Sequence, residues 1–123
     1  MFTKVKLIDE KNIDETVIRE AGKIIRDGGL VAFPTETVYG LGANALDKDA
    51  VKKIFIAKGR PQDNPLFVHT AVFEQLDGLA KTIPDIAKNT IKMSCPAPLT
   101  LFFAIKGITP HYTSAVLQIE TLR

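Results

Sequence analysis

Val17, Ile18, Ala21, Ile24 and Ile25 recur at the spacing of one helical face, so the first regular element is predicted to be an amphipathic helix. Asn12 or Asp14 offers its N-cap, and Gly28 and Gly29 end it. The unbroken apolar run 30–33 then reads as a buried strand, stopped by Pro34, which has no N–H to give to a ladder. A second helix is predicted from Asp47, with Ala50, Val51, Ile54 and Phe55 inward, ending at Lys58 and Gly59. Residues 66–69 form the next predicted strand. Helical spacing returns at 73–80 and at 85–93, the latter preceded by Pro84 at a favoured early position. Residues 99–105 read as a third strand, and the weak alternation in 116–122 as one more short strand. Strands alternating with helices imply a single α/β (α+β) domain in which helices cover a twisted sheet.

Composition narrows the class without choosing a function. With 123 residues, 46% apolar and 24% charged, the chain suits one folded domain and not an extended disordered tract. A formal charge of +2 lacks the large basic excess of a dedicated nucleic-acid binder, although a local basic cleft is compatible with it. The lone Cys95 cannot form an internal disulfide and reads as a small apolar core residue. The first residues lack the apolar core of a secretory signal, and the longest apolar run, 101–105, is too short to cross a bilayer. The expectation is a cytoplasmic protein without membrane contact.

Chemistry concentrates in two blocks. In the first, Thr35, Glu36 and Thr37 directly follow the strand 30–33, and Gly40 and Gly42 would let backbone approach a small polar ligand. The same hydroxyls could instead close a turn or cap a helix. In the second block, Lys58 and Arg60 flank Gly59 just past a helix and could converge on one anion, with Asn64 adding a neutral donor. The alternative is a solvated basic helix end facing its own dipole. His69 closes the strand 66–69 as either a rim residue or a ligand contact, and His111 reads as solvent-exposed. A Walker A loop, a dinucleotide fingerprint, a serine nucleophile elbow and paired cysteine ligands are all missing from the sequence.

Pro34-Thr35-Glu36-Thr37-Val38-Tyr39-Gly40-Leu41-Gly42, together with Lys58-Gly59-Arg60-Pro61 and Asn64-Pro65-Leu66, resembles the YrdC family of threonylcarbamoyl-AMP synthases in identity and spacing, over roughly residues 8–105. The resemblance implies a YrdC-type fold, a twisted mixed sheet with helices packed around a large basic concavity. Residues 1–123 would form a partial domain, incomplete at the C-terminus, because the family's Ser-x-Asn motif is not in the chain.

The implied activity condenses L-threonine, bicarbonate and ATP, usually with magnesium, into threonylcarbamoyl-adenylate and pyrophosphate. That product feeds the modification of an adenosine in tRNAs reading codons that begin with A. Carried over by motif, Thr37 and His69 would hold threonine, and Lys58, Arg60 and Asn64 would contact ATP. Spacing puts Arg123 where the family has a substrate-binding arginine. No residue is assigned as an acid, base or nucleophile, and none as a metal ligand. The resemblance also leaves open a non-catalytic module that holds tRNA or double-stranded RNA in the basic concavity, and self-association through surface that a shortened domain would expose.

Overall fold

A computed structural model describes residues 2–35, 37–59, 66–94, 99–104, 106 and 116–119. Of the two predicted caps, Asp14 is the one used. Its extended backbone leads into α1 (Glu15–Arg26), and the amide and hydroxyl of Thr16 donate to its Oδ1 at 2.8 and 2.6 Å. Glu15 in the first turn and Lys23 and Arg26 in the last complement the helix dipole. Val17, Ala21, Ile24 and Ile25 are half-buried, whereas Ile18 keeps 50% of its surface exposed. The inward face is thus narrower than the sequence spacing predicts.

Gly28, at φ +77°, turns the chain out of the helix, and its carbonyl accepts the Lys53 ammonium at 2.7 Å. That bond ties the exit of α1 to α2 (Lys48–Lys58). Asp47 caps α2 by accepting from the amides of Asp49 and Ala50, and Ala50, Val51, Ile54 and Phe55 are buried as predicted. Gly59 ends the helix in the left-handed conformation, φ 59° and ψ 30°, and its N–H returns to the last-turn carbonyls of Phe55 and Ile56.

Between the two helices lie β1 (Val31–Phe33) and β2 (Gly40–Gly42), paired antiparallel with Phe33 opposite Gly40 and Val31 opposite Gly42. The second strand is not announced by the sequence pattern, because Gly-Leu-Gly has weak strand propensity. Its glycines serve a neighbour: a Cβ on Gly40 or on Gly42 would lie 2.9 Å from carbons of the Phe33 ring. The close approach expected of these glycines is therefore made by an aromatic side chain of the paired strand.

The remaining elements are β3 (Phe67–His69), α3 (Glu74–Leu79), α4 (Asp85–Ser94), β4 (Leu99–Phe102) and β5 (Val116–Ile119). They form a mixed sheet in the order β3-β5-β4, with β5 parallel to β3 and antiparallel to β4. The last strand in sequence thus occupies the middle, and the weakly alternating segment supplies the central strand. Register sets His69, Gln118 and Thr100 in one row across this sheet. Burial alternates along β3, with Val68 buried between exposed Phe67 and His69.

Val68 joins Leu76, Ala80, Ile83, Ile91 and Phe103 in the core between this sheet and helices α3 and α4. Backbone bonds from Lys81 N–H to the Ala104 carbonyl (2.7 Å) and from Lys106 N–H to the Leu79 carbonyl (2.9 Å) hold α3 to the strand's exit. Next to His69, Thr70 is buried, and its hydroxyl has no hydrogen-bond partner among the described residues.

Candidate functional site

Phe33 is the last residue of β1 and His69 the last of β3, and these strands belong to different sheets. Their rings meet edge to face, with centroids 6.1 Å apart and planes at 85°. The aromatic quadrupole favours this arrangement, with positive ring edge against negative face. Because each residue ends its strand, the segments leaving β1 and β3 start from neighbouring points. The strand that precedes the first block and the strand that follows the second meet here.

Past Phe33, the chain makes a local turn. The Thr35 hydroxyl donates to the Val38 carbonyl, and the Thr37 amide donates to Thr35 Oγ1 at 3.3 Å. Thr35 therefore serves the turn, as the simpler of its two sequence readings has it. Thr37 is held by its amide, while its side chain is exposed and its hydroxyl forms no hydrogen bond among the described residues. His69 is exposed on the face of β3 opposite buried Val68.

Lys58 stands on a third element, in the last turn of α2, and is exposed. Among the described residues it forms no ion pair. The left-handed Gly59 fixes the direction in which the chain departs beside it. Arg60, Asn64 and Arg123 lie outside the described residues, as do Glu36, Cys95 and His111. Phe33 is the residue that the sequence reading missed. Its signal was an aromatic ending a strand before Pro34, with two glycines spaced to receive its ring across a hairpin.

Among the described residues no three or more His, Cys, Asp or Glu gather to hold a metal, and no helix is long and apolar enough to cross a membrane. What the geometry shows is an exposed Thr37 side chain on the turn after β1 and an exposed His69 at the end of β3. Together with the two small sheets and their helices, this defines a mixed α and β domain with polar groups near its strand ends.

The comparisons give that class a family. The Sua5/YciO/YrdC family model, described as "Telomere recombination", matches residues 23–118, and the chain belongs to this family. It is 54% identical over 113 residues to the threonylcarbamoyl-AMP synthase of Pyrococcus abyssi and 46% identical over 114 residues to that of Bacillus subtilis. These matches cover 92% and 91% of the chain. The chain spans about a third of the length of either relative, 33% in both cases.

Solved structures agree on the fold. The crystal structure of Pyrococcus abyssi Sua5 complexed with L-threonine is 53% identical with a TM-score of 0.81, over 89% of this chain and 33% of that one. A protein from Methanobacterium thermoautotrophicum, solved in solution, is 29% identical with a TM-score of 0.62, over 96% of this chain and 58% of that one. The mixed α and β architecture expected of the YrdC resemblance is the one observed.

Proposed function

We propose that this chain carries a threonine- and ATP-contacting portion of a threonylcarbamoyl-AMP synthase, which joins L-threonine, bicarbonate and ATP into threonylcarbamoyl-adenylate and pyrophosphate. The observation that supports the reading is the Phe33–His69 contact, which sets the end of β1, from which the Thr37 turn leaves, beside the end of β3. The threonine complex of the Pyrococcus abyssi relative supports the choice of amino acid. Its 54% identical sequence bears the synthase name.

In this proposal Thr37 and His69 hold threonine, with Arg123 assisting, and Lys58, Arg60 and Asn64 hold ATP. The threonine amine combines with bicarbonate, losing water, to give a carbamate. A carbamate oxygen then attacks the α-phosphorus, its new P–O bond replacing the bond to pyrophosphate, which leaves with its electron pair. The step needs no protein nucleophile. Positioning and charge neutralisation carry it, and cations with fixed donors supply both. Magnesium would accompany ATP, whose phosphates provide oxygen ligands that the protein need not duplicate.

The test is pyrophosphate release by the full chain. A signal that requires threonine, bicarbonate and ATP together is the expected result; release that ignores threonine would remove the synthase reading.

A further inference from the structure

We propose that Phe33 is a positioning residue that sets the plane of the His69 imidazole, with Gly40 and Gly42 as the floor on which its ring rests. The inference rests on the reading of His69 as a contact for the amino-acid substrate. It adds a residue that acts through another and touches no ligand itself.

Three observations converge. The Phe33 ring meets His69 edge to face at 6.1 Å, so rotation of either ring disturbs the pair. Strand pairing places Gly40 directly opposite Phe33, and a Cβ at position 40 or 42 would come within 2.9 Å of ring carbons. Such separations leave no room for a methyl group unless the ring moves. Finally, His69 lies on the exposed face of β3, away from the core that packs Val68, so packing from β1 helps define its direction.

Each link has a physical consequence for ligand binding. An imidazole donates or accepts hydrogen bonds only in its own plane, so a ring free to turn loses orientation at the moment it is needed. A phenyl ring packed at right angles to it restricts that rotation through an apolar contact. The glycine pair, in turn, restricts the phenyl ring. A change at Gly40 should therefore be felt at His69 although the two are not in the same sheet.

The experiment compares wild type, Phe33→Leu, Phe33→Tyr and Gly40→Ala as full chains. It reads the His69 ring-proton resonances by NMR and threonine affinity by calorimetry. Phe33→Leu and Gly40→Ala should each shift the His69 resonances, through the lost or displaced ring current, and weaken threonine binding about tenfold. Phe33→Tyr, which keeps the ring, should retain both signals. If Phe33→Leu does not fold, Gly40→Ala against Phe33→Tyr makes the same comparison. Unmoved His69 resonances, or moved resonances with unchanged threonine affinity, would overturn the proposal. A wild-type chain that binds no threonine would refute the functional reading instead, and the resonances would still decide whether Phe33 orients His69.

Discussion

The hydroxyl of Thr35 donates to the carbonyl of Val38 and so closes the turn that follows β1, leaving the exposed Thr37 side chain outside that bond. Two threonines of one motif, separated by one residue, thus differ in what their hydroxyls do. Thr35→Val should lower stability by about 1 kcal/mol, the net worth of one hydrogen bond, as measured by urea denaturation. Thr37→Val should leave the denaturation midpoint nearly unchanged and weaken threonine binding. Equal stability losses at both positions would contradict this division.

Thr70 offers a test of the opposite sign. Its side chain is buried, with 5% of its surface exposed, and among the described residues its hydroxyl has no hydrogen-bond partner. Burying an unpaired hydroxyl is unfavourable, and valine has nearly the same shape without it. Thr70→Val should stabilise the chain by about 1 kcal/mol, read from the urea midpoint at constant slope. A destabilised variant would mean that the hydroxyl is hydrogen-bonded in solution.

Gly59 and Gly28 should respond differently to alanine. Both have positive φ, at +59° and +77°, but a Cβ at Gly59 meets nothing within 4 Å among the described residues, whereas one at Gly28 lies 3.1 Å from the Asp47 carboxylate. Gly59→Ala should therefore cost about 1 kcal/mol, from backbone strain alone. Gly28→Ala should cost more, because it also crowds the cap of α2 beside the Lys53 bond. Thermal melts of the two variants make the comparison.

Acid should loosen α1 at two points. Hydrogen bonds from the Thr16 side chain and amide hold the Asp14 carboxyl below its ordinary value of 3.8. The bond from Lys4, with the charge of Lys6, holds Glu20 below 4.5. A carboxyl whose pKa falls on folding stabilises the fold fully above its unfolded value and loses that contribution as pH falls through the folded one. Helicity should accordingly decline below about pH 4, within the acid range set by these carboxylates. Carboxyl titration by NMR separates the causes. Added salt should raise the Glu20 midpoint, which depends on exposed lysines, more than that of Asp14, which depends on local hydrogen bonds.

Elements marked by local chemistry were legible in the sequence. Asp14 and Asp47 announce helix starts, Gly59 announces a stop, and the spacing of Ala50, Val51, Ile54 and Phe55 gives the buried face of α2. Strands were found with less exact bounds: 99–105 ends at Phe102, with 103 and 104 outside the ladder, while the described part of 116–122, Val116–Ile119, is strand and the rest of that expected strand lies outside the described residues. Apolar runs continue past the last paired residue, and pairing is a property of the neighbouring strand. For the same reason β2 went unseen, since Gly-Leu-Gly becomes a strand only when Phe33 lies across it. The central place of β5 also depends on partners remote in sequence. At the site, the threonine motif and His69 could be singled out by type and spacing. Their junction through Phe33 required the fold.

The central claim, that the turn after β1 and the end of β3 border one threonine site, is tested most directly by titrating L-threonine into the isotope-labelled chain and following its amide resonances. Saturable shifts should cluster at Thr35, Thr37, His69 and Thr70, and His69→Ala should weaken the response about tenfold, the loss of one well-placed hydrogen bond to a charged group. Saturable shifts confined to other elements, with His69→Ala binding threonine as wild type does, would contradict the account.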